Sequence, residues 1–194
     1  MLTLVVPRHG WEPERARLVL EAHRQGRRAL HIVGGNRLDV YALANAARAA
    51  GLDPVAALRS SVIARAFTAH QLSALIEDTL PQALTRDVAL VLVSDPLDVY
   101  AGEDVGREEG SVLLQRAASA LAMLAGRRRD VRFIVVQDPR QGQRRHWRIL
   151  EAAAHAVAAW PSQDAHARQA TLEPWIVRPV RPALAAHKEA AVHA

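Results

Sequence analysis

Six consecutive apolar residues, Val88–Val93, constrain the fold of this chain more than any other feature. A strand that is apolar on both faces must be covered on both faces, which is typical of the interior of a parallel sheet. A second stretch, Val131–Val136, is apolar except for Arg132 and follows after an intervening helical pattern. Strand and helix patterns alternate along the chain. We therefore expect a doubly wound α/β fold, with a mostly parallel sheet and helices on both faces.

The remaining elements are predicted from periodicity, caps and breakers. The predicted strands are Leu2–Val6, Ala29–Val33, Val62–Ala66, Val88–Val93 and Val131–Val136, and the predicted helices are Glu12–Gln25, Asp39–Ala50, Ala69–Leu80 and Ser111–Leu124. Asp104–Gly110 and Asp138–His146 are predicted to be loops. Trp147–Trp160 fits a helix, or a short helix leading into a strand, and Gln169–Val177 fits a strand at the sheet edge. We expect one core domain over residues 1–182 and a loose tail over residues 183–194.

Composition excludes several classes of site. The chain has 194 residues and no cysteine, which rules out disulfides, thiolate nucleophiles and zinc–thiolate sites. Of its 25 lysine and arginine residues only Lys188 is lysine, so the core can hold neither a P-loop lysine nor a Schiff-base lysine. The formal net charge of +5 fits an acidic partner such as nucleic acid. The alternative is that the arginine and alanine richness reflects only a GC-rich genome. Apolar stretches are too short to span a membrane, and we expect a cytoplasmic protein.

Three segments near the middle of the chain resemble a known family. Gly51–Pro54, Val62–Phe67 and His70–Leu72 look like the middle of a RadA/Rad51-type recombinase core, the RecA-like ATPase of homologous recombination. The resemblance covers roughly Leu2–Val177 and is most specific over Gly34–His70. It implies that the α/β fold is RecA-like.

The chain departs from this family where the family binds phosphate. A P-loop wraps phosphates with glycine backbone N–H groups and adds a lysine and a magnesium-binding hydroxyl. The matching segment here is Pro7–Glu14, in which Pro13 stands in place of the lysine and Glu14 in place of the hydroxyl residue. Proline has no N–H to donate, and glutamates repel a triphosphate. We therefore expect no nucleotide cofactor.

Two further catalytic positions are also altered. The glutamate that orients water in the family falls on Gly35, and the Walker B aspartate falls on Ser94, with Asp95 one residue late. Because side chains alternate along a strand, a shift of one residue turns the carboxylate to the other face. With Walker A, Walker B and the catalytic glutamate all absent, we expect a pseudo-ATPase and no enzyme.

The resemblance also implies a partner-binding pocket. In RadA/Rad51 proteins a hydrophobic pocket accepts a phenylalanine–alanine motif from a neighbouring subunit or a mediator protein. The matching positions are Leu30, Ile32 and Ala64, and on the alanine-accepting side Leu38, Val40, Leu43 and Leu58. All are small or apolar, as a pocket for an aromatic anchor requires. The alternative is that they are core, particularly Leu43 and Leu58. Because the chain begins directly at the core, we expect it to accept such a motif and not to donate one.

The segment after Val136 is the best nucleic-acid candidate, since recombinases place a DNA-binding loop after the matching strand. Arg140, Arg144 and Arg145 could neutralise phosphates and Trp147 could stack on a base of single-stranded DNA. The alternative is a solvated basic loop with Trp147 packed into the core. Arg127–Arg129 is expected to be a helix C-terminus favoured by the helix dipole.

Other chemistry has little support from the sequence. The nine histidines show no metal-binding spacing, and we expect no metal. Ser94 and Ser111 could belong to a Ser-His-Asp site, although neither lies in a GxSxG elbow. Asp95 and Asp98 follow a buried strand, where α/β sheets bind ligands, or they form a turn around a proline. These observations leave three classes: a recombination or repair protein that binds a recombinase or other partner, a RecA-fold scaffold or regulatory subunit unrelated to DNA, and an unrelated enzyme.

Overall fold

The computed structural model describes residues 1–7, 11–35, 38–138, 143–159 and 176–179. In chain order the elements are β1 (Leu2–Val6), α1 (Trp11–Arg24), β2 (Arg28–Val33), α2 (Val40–Ala49), α3 (Pro54–Arg59), β3 (Ser61–Arg65), α4 (Ala69–Ala74), a π-helical stretch (Leu75–Thr79), α5 (Leu80–Ala83), β4 (Val88–Ser94), α6 (Leu97–Tyr100), α7 (Arg107–Arg127), β5 (Arg132–Val136), α8 (Arg144–Ala153), β6 (Ala156–Ala159) and β7 (Ile176–Pro179). The predicted alternation of strands and helices is confirmed.

The seven strands form one sheet in the order β3-β2-β4-β5-β1-β6-β7. The first six are mutually parallel, and β7 pairs antiparallel with β6. The prediction of a mostly parallel sheet is therefore confirmed. In dinucleotide-binding folds the first strand lies beside the second, whereas here β4 and β5 lie between β1 and β2. The strand order is thus not that of a dinucleotide-binding domain.

Helices cover both faces of the sheet. On one face, called the α1 face, the core contains Leu18 of α1, Leu43 of α2 and alternate β4 residues such as Leu92. On the other, called the α7 face, it contains Leu114 of α7 and β4 residues such as Val93. Because β4 faces helices on both sides, its apolar run is buried along almost its whole length. The doubly wound arrangement is what the sequence predicts.

Local caps explain where two of the helices begin. At the start of α2 the Asp39 side chain accepts hydrogen bonds from the backbone N–H groups of Tyr41 and Ala42. The Asp53 side chain caps α3 in the same way. Gly51, with a φ of +69°, turns the chain between these helices, which is a conformation that favours glycine. The predicted boundaries of the second helix are confirmed.

Two predicted boundaries are wrong. The helix predicted to stop at Leu80 continues to Ala83, because the backbone widens to a π-helical stretch in which the Leu80 N–H donates to the Leu75 oxygen. A widened turn accommodates Pro81, which lacks an N–H to donate. The helix α7 begins at Arg107, inside the predicted loop Asp104–Gly110.

The C-terminal part also differs from its prediction. The predicted loop Asp138–His146 ends earlier, since α8 begins at Arg144, and α8 followed by β6 confirms the alternative of a short helix leading into a strand. Of the strand predicted over Gln169–Val177, only the last two residues are described, and they belong to β7 at the sheet edge. Residues 160–175 and the predicted tail, 183–194, lie outside the described residues. None of the helices described is both long enough and apolar enough to cross a bilayer.

Candidate functional site

The parallel strands end together at one edge of the sheet, the location where α/β folds bind ligands. We call this the carboxyl edge; it contains the residues that follow β2 and β4 and the first turn of α1. Asp95, just after β4, has a φ of +52°, a conformation that non-glycine residues rarely adopt. A Cβ atom on Gly35 would lie 2.8 Å from the Cβ of Asp95 and 3.1 Å from Oδ2 of Asp98. Glycine at position 35 thus allows both aspartates to approach the end of β2.

Further charged side chains meet at the same edge. Arg15 is buried, forms an ion pair with Glu12 and donates a hydrogen bond to the backbone oxygen of Asp39. Burial raises the pKa of Glu12; Arg15 opposes this, and the carboxylates of Asp39 and Asp95 raise it further. Among the described residues of the carboxyl edge, Glu12 thus interacts with the carboxylates of Asp39 and Asp95, and it pairs with the buried Arg15.

Three described positions that match the ATPase motifs lie at this edge. Pro13 is exposed in the first turn of α1. Glu14 is buried, and its two carboxylate oxygens accept hydrogen bonds of 2.8 and 2.6 Å from Arg17. At Gly35 the close approach of Asp95 leaves no room for a glutamate side chain.

Both serines considered for a Ser-His-Asp site contact a histidine. Oγ of Ser94 lies 2.7 Å from Nε2 of His31, and Oγ of Ser111 lies 3.3 Å from Nε2 of His146. All four side chains are buried. Burial, and secondarily the charge of Arg15, lowers the pKa of His31 to about 3. A histidine with so low a pKa is a weak general base at neutral pH, so we interpret both pairs as core contacts.

The seven positions of the expected partner pocket do not form one pocket. Leu30 and Ile32 belong to the core on the α7 face, where they are only 5% and 4% exposed. Leu43 is buried on the α1 face, and Leu58 packs there too, on the opposite side of the sheet. Leu43 and Leu58 thus fit the alternative that they are core, and binding of a partner beside Leu30 and Ile32 stays a prediction. The residues lie on two faces because side chains alternate along β2, where Leu30 and Ile32 point to the α7 face, whereas α2 and α3 both cover the α1 face.

The remaining members of this set lie nearer to solvent. Ala64 is half-buried on β3, in register with Ile32, and therefore on the α7 face. Leu38 is half-buried and Val40 is exposed, at the start of α2. Only Ala64 adjoins the part of the pocket that the resemblance assigns to an aromatic ring.

Sequence reasoning missed the exposure of the edge strand. β3 is the outermost strand beside β2, and its Val62 and Ile63 are 40% and 39% exposed. Phe67 follows the strand and is 67% exposed, with the guanidinium of Arg65 over its ring at 4.9 Å from the centroid. The apolar pattern of Val62–Ala66 indicates a strand, but it does not reveal that the strand has a neighbour on one side only.

The expected DNA-binding residues are held in different ways. Arg140 lies outside the described residues. Arg144 is exposed at the start of α8, and Arg145 donates hydrogen bonds of 2.6 and 3.0 Å to the two carboxylate oxygens of Glu108. This pairing raises the pKa of Arg145. Trp147 is half-buried and packs against the core of the α7 face. The structure thus places Arg144, Arg145 and Trp147 on a helix and not in a loop.

No protein-family model and no curated protein sequence matches this chain. The resemblance to recombinases accordingly stays a proposal. Within the described parts of the chain, no three histidine, aspartate or glutamate side chains are grouped so that they could hold a metal ion.

Gln137 connects two strand ends at the carboxyl edge. It follows β5, is fully buried, and its Oε1 accepts a hydrogen bond of 2.8 Å from the backbone N–H of Leu97. Its amide nitrogen donates to the backbone oxygen of Asp138 at 3.0 Å. The side chain thereby fixes the turn after β4, which carries Asp95 and Asp98, to the end of β5.

Proposed function

We propose that this chain is a non-catalytic RecA-like protein, similar to a paralogue of the RadA/Rad51 recombinases. It assists homologous recombination or DNA repair by binding a recombinase or another partner protein, with single-stranded DNA as a second ligand. The observation that carries the proposal is the convergence of Glu14, Gly35 and Ser94 at the carboxyl edge. These are positions that the resemblance assigns to ATP chemistry, and none of them can perform it here.

The strand order supports a RecA-like fold over a dinucleotide-binding one, because β4 and β5 separate the first two strands. The acidic first turn of α1 supports the loss of nucleotide binding. A helix N-terminus attracts phosphate through its free N–H groups and dipole, and the carboxylates of Glu12 and Glu14 oppose that attraction.

The open edge of β3 supports binding of a protein partner. Ser60 O and Ala66 N bond to β2, so the backbone groups of the alternate residues Ser61, Ile63 and Arg65 point away from it. An extended peptide can add to such an edge as a further strand. An aromatic residue of that peptide would then lie beside Ala64 on the α7 face.

The experiment is a binding titration with the recombinase of the source organism and with a Phe-x-x-Ala peptide. Ala64→Glu places a carboxylate where the ring would be buried, so we expect at least a tenfold loss of affinity. Ile63→Glu is the matched control, because Ile63 pairs with His31 and thus lies on the opposite face. Its affinity should stay within about threefold of wild type.

Equal binding to wild type and Ala64→Glu would contradict the proposed partner surface. If neither the recombinase nor DNA binds the wild-type protein, the competing function is favoured, namely a RecA-fold interaction scaffold or regulatory subunit unrelated to DNA.

A further inference from the structure

Positive charge is concentrated at the edge of the sheet opposite the carboxyl edge. We call this the arginine edge; it consists of the last turn of α1 and the connections leading into β2, β4 and β5. Its arginines are Arg24, Arg27, Arg28, Arg86, Arg127, Arg128, Arg129 and Arg132. The carboxylates in the same segments are Glu21, Asp87 and Asp130. Eight cations against three anions leave an excess of five, which equals the formal net charge of the whole chain.

Hydrogen bonds hold these segments together. Arg27 donates to the backbone oxygens of Val88 and Asp130 and so links the start of β4 to the connection before β5. Arg128 donates to the backbone oxygens of Leu84 and Thr85, and it also pairs with the carboxylate of Asp130. The hydrogen bonds from Arg128 lower the pKa of Asp130 to about 2. The edge is therefore a fixed surface and not a set of independent side chains.

Four of the eight arginines are not neutralised by any carboxylate in the described part of the chain. Arg24, Arg86, Arg127 and Arg129 are exposed and form no ion pair with another described residue. The others pair with Asp87, Asp130 or Glu21. The four free guanidinium groups come from three segments that are distant in sequence.

A groove opens beside this charge. It has a volume of about 920 Å³, and its apolar lining includes Leu18, Leu90 and Ile134. Its charged lining includes Arg27, Arg129 and Arg132. Arginine both neutralises phosphates and offers a planar surface on which a base can stack.

At the opposite edge, burial and then the carboxylates of Asp39 and Asp95 raise the pKa of Glu12. The excess positive charge of the arginine edge attracts an anionic ligand. At the N-terminus of α8, Arg145 is already paired with Glu108.

We propose that the arginine edge binds the phosphodiester backbone of a nucleic acid. The choice of nucleic acid among polyanions rests on the proposed function. The surface differs from the segment after Val136, because it lies at the amino ends of the strands and contains neither Arg144 nor Trp147.

The test compares two fourfold variants of equal net charge. The first replaces Arg24, Arg86, Arg127 and Arg129 by alanine. The control replaces four exposed arginines away from this edge, Arg65, Arg107, Arg116 and Arg148, by alanine. Affinity for a labelled single-stranded oligonucleotide, and for the matching duplex, is measured over a range of salt concentrations. Melting temperatures should match wild type, because all eight side chains are exposed.

For the arginine-edge variant we expect at least a tenfold loss of affinity at low salt. The slope of log affinity against log salt should fall by about 3 for single strands and slightly more for duplex, since each lost phosphate contact removes roughly 0.7 or 0.9. The control should keep the wild-type slope. Whichever ligand, the single strand or the duplex, shows the larger loss of affinity is the form of nucleic acid that the arginine edge binds.

Equal losses in the two variants would overturn the inference, because they would show an effect of net charge alone. So would a loss confined to an Arg144→Ala/Arg145→Ala variant, which would place the contact on α8. Inorganic polyphosphate is tested as a competitor at the same phosphate concentration as unlabelled DNA. If it competes as strongly as DNA, the ligand of the arginine edge is polyanions in general and not nucleic acid. A wild-type protein that binds no nucleic acid would refute both DNA surfaces, while binding of a recombinase would still be decided by the Ala64→Glu titration.

Discussion

His31 lies in the middle of β2 on the α1 face, where the sequence alone offers no reason to single it out among nine histidines. Its side chain is 3% exposed and contacts the Ser94 hydroxyl. A buried neutral histidine accepts or donates one hydrogen bond at little cost, but its protonation in the core is expensive. The residue therefore couples the stability of the fold to pH.

We expect His31 to make the protein less stable in mild acid. Below about pH 6.5 the unfolded chain binds a proton at this position, whereas the folded protein does not until about pH 3. The free energy of unfolding therefore falls as the pH falls through this window, by up to about 1.4 kcal/mol per pH unit. His31→Gln, which can keep a hydrogen bond to Ser94, should have a shallower slope in urea titrations between about pH 4 and pH 6.

Ser94→Ala is the control, because it leaves His31 in place and burial is the main cause of its lowered pKa. This variant should keep the wild-type slope. An identical slope in wild type and His31→Gln would contradict the assignment.

Gly35 and Asp95 form a close contact that neither residue's place in the sequence predicts. In the sequence, Gly34-Gly35 is only a break after a strand, and Asp95 is only an aspartate one residue late. In the structure a side chain at position 35 would collide with Asp95, so the position of Asp95 requires glycine there. The contact joins two strands that are far apart in sequence, so no local pattern could predict it.

Among the elements, α8 differs most from its prediction. The sequence predicts a basic loop up to His146, whereas the helix begins at Arg144 and buries His146 and Leu150. The apolar residues of this stretch are spaced as in a short amphipathic helix. Three arginines, a proline and a glycine just before it and in its first turn obscure that pattern.

We expect Trp147 to pack against the core and not to stack on a base of DNA. Because it is half-buried against the α7 face, Trp147→Ala should lower the free energy of unfolding by about 2 kcal/mol, less than the 3–5 kcal/mol typical of a fully buried aromatic. Arg148→Ala, the exposed neighbour, should change it by less than about 0.5 kcal/mol. Denaturant titrations and DNA titrations of both variants decide the matter. A Trp147→Ala variant with normal stability and weakened DNA binding would restore the stacking role.

At the scale of the whole molecule, the carboxyl edge gathers from α1, β2 and β4 the positions that the proposed resemblance assigns to ATP chemistry. In that proposed match Pro13 replaces the lysine, Glu14 replaces the metal-binding hydroxyl residue and Gly35 replaces the glutamate. Glu12 and Glu14 add negative charge at the helix N-terminus that a triphosphate would need.

We therefore expect that the protein does not bind Mg–ATP. Calorimetric titration should show no heat of binding, and intrinsic ATP hydrolysis should be absent. A dissociation constant below about 1 mM would contradict this expectation, since it would require another phosphate-binding site.

The sequence by itself determined the class of the fold and the type of nearly every element. Apolar runs, helical periodicity, Asp39 and Gly51 act within one element, so they can be interpreted without knowing the neighbours. The same holds for the missing P-loop lysine, because its absence is a property of composition.

Only the tertiary structure decided which residues meet. The strand order, which depends on contacts between distant segments, leaves β3 at an open edge and puts Leu30 and Leu43 on opposite faces of the sheet. It also brings Arg24, Arg86 and Arg129 to one edge of the molecule. A local pattern states which side of its own element a residue occupies, but the position of that element in the sheet is set by packing over the whole chain.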